Sequence, residues 1–430
     1  MNPRQLLIDS FHAAVAAADP LDIVAQFLPP PPQGRTLVVG AGKAAASMAR
    51  AVELAWPANA PLEGVVVTRY GHGMPTERIR VIEAGHPVPD AAGEGAAIEI
   101  LAQARALTPT DHLIVLVSGG GSSLLSLPVA AVPMADLKAV THALLHSGAP
   151  ITEMNVVRKH LSQIQGGRLA AACKVPITAL IISDVTGDDP SAIASGPTCA
   201  DASTYQDALD VLNRYAVSAP ASVLAHLQAG VLGAVDETPK SGSTALTHVR
   251  NTVIASAHQS LQAAAEFFRQ RGITPVVLGD TVTGEAAEVA KVYAALVREI
   301  RDHQQPFRAP VALISGGECT VTFNVTIGAG EAVGRGGRCT EFLLSLTLEL
   351  GGMPDVYALA ADTDGIDGTE DNAGAVLMPD TPARAVALGI DAAAMLAAHD
   401  SYSYFSALGD LLVTGPTRTN VNDYRVILIL

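Results

Sequence analysis

Residues 36–45 read TLVVGAGKAA: a strand breaks into two glycines and then Lys43 at the head of an Ala-rich stretch. Glycines let a backbone approach an anion, and a helix start adds partial positive charge that a lysine would complete. The run is no P-loop, because Leu37 stands where the first glycine would be and Ala44 where Ser or Thr should follow. It matches the looser G-x-G-x-x-A dinucleotide form. The next strand ends Thr68-Arg69 without the expected acid, which disfavours NAD and leaves NADP open. Residues 112–125, HLIVLVSGGGSSLL, deliver Gly119, Gly120, Gly121, Ser122 and Ser123 from a buried strand. Consecutive small residues present rows of N–H groups suited to phosphate oxygens, so a polyphosphate loop is favoured over a serine nucleophile or a turn needed only for packing.

Residues 155–169 gather Arg158, Lys159, His160 and Arg168, and the strand that follows ends at Ser183 with Asp184, Asp188 and Asp189 close behind. Aspartates at a strand end beside a phosphate loop are a common magnesium arrangement, although Asp189-Pro190 equally suits a turn. Arg335 and Arg338, framed by Gly334, Gly336 and Gly337, suit bidentate capture of a carboxylate or phosphoryl oxygen. Asp362, Asp364 and Asp367 crowd after another strand but fail the EF-hand spacing; a general base, a second metal contact and an Asx-turn loop all remain open. His142 and His146 share a helix face with no third ligand nearby in sequence and read as ordinary helix residues.

Strand-length apolar runs alternating with helical segments must position these groups, which predicts an α/β fold. The first series is 36–39, 64–68, 112–117 and 177–182, expected as a Rossmann-like parallel sheet with helices on both faces. The second comprises 251–255, 274–278, 310–314, 356–360 and 424–429. The Gly, Ser, Thr and Pro-rich stretch 230–247 separates them, giving expected domains 1–235 and 245–430. An amphipathic opening helix with Leu6, Leu7 and Phe11 precedes a stiff connector at 29–32, four consecutive prolines.

The chain has 430 residues, 49% of them hydrophobic and only 16% charged, against roughly 25% charged in an ordinary soluble chain. Lys and Arg number 27 against 42 Asp and Glu, a net charge of −15 that would repel a phosphate backbone, so nucleic acid is disfavoured as a partner. Cys173, Cys199, Cys319 and Cys339 lie far apart, as free thiols in a reducing cytoplasm would. No secretory signal or membrane span is expected, and a homodimer is left open.

The succession VVGAGKAA, GHPVPD, VSGGGSSLL, NVVRKHLSQIQGGRLA, ISDVTGDDPSAIASGPT, ISGGECTVT, GRGGRCTEF, ADTDGIDG and GPTRTNVNDYRVILI resembles the type II glycerate kinases, also called glycerate 2-kinases or the MOFRL family. Some members carry the label hydroxypyruvate reductase. The resemblance covers nearly the whole chain. It implies a C-terminal MOFRL α/β domain after the Rossmann-like one, an active site between them, and ATP-dependent phosphorylation of D-glycerate, usually to 2-phosphoglycerate. The family's active-site lysine falls on Lys43 and its arginine on Arg338.

Relatives commonly read GPTGTN where this chain has Arg418, and GGRNQE where it has Cys339-Thr340 after Arg338; the Cys-Thr replacement puts the acceptor's identity in question. The expected mechanism has Gly119–Ser123 on the nucleotide phosphates and Mg²⁺ at Asp184 with Asp188 or Asp189. Lys43 and Arg338, with Arg335, hold the transferring phosphoryl and the carboxylate, and Asp364 or Asp184 orients or deprotonates the hydroxyl. Alanine at Lys43 or Arg338 is expected to cut turnover by orders of magnitude with the fold intact. The alternative is an NADP-dependent hydroxypyruvate reductase.

Overall fold

The computed structural model describes residues 2–322 and 334–430. The chain forms two compact units: Pro20–Ile254, and Met1–Asp19 together with Ala255–Leu430.

In the first unit a six-stranded sheet runs in the order Ile79–Ala84, Leu62–Arg69, Thr36–Ala41, His112–Val117, Ile177–Ile182 and Val249–Ala255. The first five of these strands are mutually parallel, with Val39 opposite Val65 on one side and Val115 on the other. Every residue of Thr36–Ala41 and of Ile177–Ile182 is buried, as strands covered by helices on both faces must be. Leu37, Val39, Val115, Val117, Ala179 and Ile181 form one core with Ile100 and Leu101 of the helix Ala91–Arg105. Their alternates Val38, Ile114, Leu116 and Leu180 are equally buried on the opposite face. Four helices, Met134–His146, Ile151–His160, Tyr205–Arg214 and Ala221–Val231, close a separate apolar cluster around Leu144, Val157, Leu212 and Leu227.

In the second unit a mixed sheet runs Leu411–Leu412, Gly374–Leu377, Val356–Asp362, Asp423–Ile429, Val311–Ser315 and Thr274–Gly279. Only the last pair is parallel. Leu313, Ile427 and Ile429 pack on one side with the helices Ala286–His303 and Arg338–Leu350. Ile314, Val426 and Leu428 pack on the other with Ala257–Arg269 and the N-terminal helix Pro3–Ala16.

The division differs from the sequence reading in two places. The opening helix belongs to the second unit, where Leu7 and Phe11 enter its core and the Tyr424 hydroxyl meets Ser10 Oγ at 2.9 Å. The strand at 249–255, expected to open the second series, completes the first sheet. The polar stretch before it is a loop tied down within the first unit: Thr238 Oγ1 donates to Asp201 at 3.1 Å, and Lys240 Nζ donates to Thr238 at 2.8 Å. Among the described residues no helix is long and apolar enough to cross a membrane.

Candidate active site

Because the strands of the first sheet are parallel, the residues following each of them emerge at one edge. That edge carries Lys43 after Thr36–Ala41, the 118–123 segment after His112–Val117, and Asp184 after Ile177–Ile182. Strand order reverses between Thr36–Ala41 and His112–Val117, the switch point where open α/β sheets bind ligands.

The two turns at that point lock onto each other. Gly42 N–H donates to the Val67 carbonyl at 3.0 Å, Lys43 N–H to the Gly119 carbonyl at 2.8 Å, and Ala44 N–H to Ser118 Oγ at 3.0 Å. Gly42 has φ +140, and a Cβ there would lie 2.1 Å from Ser118 Oγ, so only glycine permits this approach. In a dinucleotide-binding turn those amides would face a pyrophosphate; here residues 42 to 45 spend theirs inside the protein. The second turn is the reverse case. Among the described residues the amides of Gly119, Gly120 and Ser122 donate to no partner, leaving a row of N–H groups for an anion.

Gly120 has φ +79, and a Cβ on it would sit 2.9 Å from His86 Nε2 and 3.5 Å from Lys43 Cγ. The Lys43 stem therefore lies along the open turn. Gly120→Ala is expected to cost about 1–2 kcal/mol for the left-handed backbone alone, read as a lower unfolding free energy of the first unit. An unchanged denaturation midpoint would show that the turn is not held in that conformation. Gly121 abuts Ala194, and the Ser122 and Ser123 hydroxyls bond Ser195 Oγ at 2.9 Å and the Gly120 carbonyl at 3.1 Å.

Of the aspartates beyond the neighbouring strand, Asp184 and Asp188 are half-buried and Asp189 is exposed. Asp189 accepts from the Ser191 N–H and hydroxyl, both at 2.9 Å, the Asx-turn role that its sequence position allowed. Asp188 adopts φ 54, and its carboxylate takes no hydrogen bond or ion pair among the described residues. Within those same residues no group of three or more His, Cys, Asp or Glu is placed to hold a metal ion.

In the second unit Arg338 opens the helix Arg338–Leu350. Asp367 fixes that helix start, accepting from Cys339 N–H at 3.0 Å, Thr340 N–H at 2.8 Å and Thr340 Oγ1 at 2.7 Å. A Cβ on Gly337 would fall 2.2 Å from Asp367 Oδ1, so the glycines beside Arg338 serve close packing. Burial pushes the Asp367 carboxyl up, while the donors of Cys339 and Thr340 oppose it.

The Arg338 guanidinium donates from Nε to Asp423 at 2.7 Å, from Nη1 to Glu318 at 3.0 Å and from Nη2 to Asp362 at 2.8 Å. Asp362 and Asp423 are direct partners on adjacent antiparallel strands, and Arg425 takes the other oxygen of Asp423 at 2.6 Å. Burial alone would pull the Arg338 guanidinium down, but Asp423, Asp362 and Glu318 more than reverse this and hold it well above its ordinary value.

The remaining sequence candidates have places of their own in the two units. Arg335 is exposed, paired with Glu370 and stacked 4.4 Å over the Tyr402 ring. Asp364 is buried and accepts from Ile366 N–H at 2.9 Å. Cys339 and Thr340 are fully buried, with Thr340 serving the helix start, so the two residues on which the acceptor's identity was questioned point inward. All four cysteines are free and buried. His142 and His146 meet at 3.1 Å on an exposed helix face.

Glu318, Asp423 and Arg425 were not anticipated as site residues. Asp423 and Arg425 sit two apart at the head of an otherwise apolar strand, a period-two signal of two charges on one face that the sequence does contain.

The family model for a domain of unknown function, DUF4147, matches residues 6–228, and that of the MOFRL family matches 311–423. A protein of Agrobacterium vitis described as a putative hydroxypyruvate reductase is 50% identical over 430 residues, covering 100% of this chain and 95% of its own. The glycerate 2-kinase of Pyrococcus horikoshii is 41% identical over 402 residues, covering 92% and 88%. The solved structure of glycerate kinase from Thermotoga maritima aligns with a TM-score of 0.86 and 35% identity, covering 99% of each chain.

Proposed function

The chain belongs to the glycerate kinase family that joins a DUF4147 domain to a MOFRL domain, and from that premise we propose that it transfers the terminal phosphoryl of ATP to D-glycerate, at the 2-hydroxyl. The observation that carries this over reduction is the contrast between the two turns. The amides a dinucleotide would need after Gly42 are consumed internally, whereas those of Gly119, Gly120 and Ser122 are open among the described residues. A row of open amides beside a lysine suits a polyphosphate.

In this reading the 119–123 turn binds the nucleotide phosphates. Lys43 neutralises charge on the transferring phosphoryl, and Arg338, with one N–H on each Nη still uncommitted, offers a fork to the glycerate carboxylate. Arg335, tied to Glu370, is a weaker candidate for that carboxylate. Asp364, or Asp184, orients or deprotonates the acceptor hydroxyl.

The oxygen donors at the strand end fit magnesium, which with a nucleotide needs only one or two carboxylates besides the phosphates. Asp184 and Asp188 would hold it, with Asp189 the less suited because Ser191 engages both its oxygens. Bound there, the ion would supply charge neutralisation at the phosphate oxygens. The small-molecule pair ATP and glycerate, and a cytoplasmic location, complete the proposal.

An enolase-coupled assay with ATP, Mg²⁺ and D-glycerate tests it, because only the 2-phosphate feeds enolase without a mutase. Signal without mutase is expected. The name of the Agrobacterium vitis relative favours one second reading, hydroxypyruvate reduction; NADPH oxidation with hydroxypyruvate, and no ADP release with glycerate, would replace the kinase by that reading.

A further inference from the structure

The four cations of the 155–169 segment have separate fates. Lys159 Nζ meets Asp201 at 3.4 Å, and His160 Nε2 meets Glu237 at 2.9 Å. Arg168 donates to the Tyr205 hydroxyl at 3.1 Å. Arg158 has no carboxylate within ion-pair distance among the described residues; its one polar contact is Asn155 Oδ1, at 3.5 Å. It is half-buried and lines a pocket with Pro87, Ser122, Ser123, Thr141 and Gln165. In a chain of net charge −15, a desolvated guanidinium left without a counter-charge is costly unless an anion arrives to share the pocket.

The pocket is also wired to the open turn. Asn155 accepts from Ser195 Oγ at 3.1 Å, Ser195 meets Ser122 Oγ at 2.9 Å, and Gln165 Nε2 donates to the Ser122 carbonyl at 2.8 Å. These contacts fix Ser122, which lines the same pocket as Arg158. Burial pulls the guanidinium's affinity for its proton down, as expected of a cation awaiting its partner, yet an arginine stays charged throughout the physiological range.

We propose that Arg158 is a nucleotide-binding residue, whose guanidinium grips phosphate oxygens of the polyphosphate seated on the 119–123 turn. This rests on the phosphate-binding reading of that turn. Glycerate's carboxylate shares the same oxyanion chemistry; the nucleotide is favoured because the pocket is lined by Ser122 and Ser123 of the turn itself.

The test uses the full-length protein and its Arg158→Gln and Arg158→Lys variants. Calorimetric titration with ADP and with inorganic tripolyphosphate is set beside KM values for ATP and for D-glycerate. A charge-assisted hydrogen bond lost without replacement should weaken ADP and tripolyphosphate binding by about tenfold or more in Arg158→Gln. Arg158→Lys, which keeps the charge and loses the fork, should fall between. KM for glycerate should move little.

Unchanged binding of both phosphate ligands in the two variants overturns the assignment, as does a rise confined to the glycerate KM, which would give the pocket to the acceptor. Because binding is read directly, weakened tripolyphosphate binding would sustain the inference even if the wild-type protein failed to phosphorylate glycerate. An active kinase indifferent to the substitutions would remove this inference alone.

Discussion

Arg338→Ala is expected to destabilise the second unit by about 3–5 kcal/mol, because it breaks a buried ion cluster by removing one partner, and to abolish most turnover with it. Asp362 and Asp423 lie opposite each other across an antiparallel ladder, 4% and 1% exposed. Like charges in that relation repel, and water cannot screen them there. The Arg338 guanidinium bridges them, with Arg425 supporting Asp423 from the same strand. Alanine takes the shared cation away from three carboxylates, counting Glu318, while Arg425 stays on Asp423.

The sequence reading expected the fold to survive this change; the cross-strand aspartates are the reason it should not survive unharmed. A fall in the second unit's melting temperature on the order of 10 °C is expected by calorimetry. Arg338→Lys separates the two roles. A lysine restores a positive charge between the aspartates and should recover most of the stability, but it lacks the planar fork and should not recover the rate. If the alanine variant melts within about a degree of wild type, the cluster does not hold the second unit together.

The parts of this site legible beforehand were those whose physics is local. A strand buried on both faces reads as an unbroken apolar run, so His112–Val117 and Ile177–Ile182 were visible, as was the glycine turn that follows the first of them. The strand Ile79–Ala84 was missed because it lies at the sheet edge, with only its two ends buried and Arg80 exposed between them. The unit boundary was misplaced because a polar Gly/Ser/Thr stretch looks like a linker, and its contacts with Asp201 and His160 are tertiary.

The carboxylates around Arg338 were invisible for a similar reason. Asp362 and Asp423 become neighbours only through strand register, and Glu318 comes from a third segment. What the sequence showed was a scarce cation among glycines. Whether such a cation awaits a ligand or is already neutralised depends on long-range pairing, and the structure separates Arg338 from Arg158 on that ground.

Lys43→Met, by contrast, is expected to leave the melting temperature within a degree or two while lowering kcat by about 10²–10³-fold, the usual loss when a transition-state charge contact is removed. The turn around Lys43 is held by its main chain. The Lys43 N–H on the Gly119 carbonyl, the Gly42 N–H on Val67 and the Ala44 N–H on Ser118 all survive a change of side chain. The lysine stem passes 3.5 Å from the position a Gly120 Cβ would occupy, beside the turn that carries the open amides.

Charge on a transferring phosphoryl is redistributed as the bond to the leaving group breaks, and a point charge beside it gains most at that moment. The loss should therefore fall on kcat more than on KM for ATP. Arg158 is expected to behave the opposite way, as a ground-state contact whose loss weakens nucleotide binding first. Lys43→Arg should not rescue the rate, since it keeps the charge but replaces a compact ammonium with a planar guanidinium at the end of the stem. A Lys43→Met enzyme turning over at a near-native rate would remove this residue from the chemistry and leave the glycine turn as a binding element without its cation.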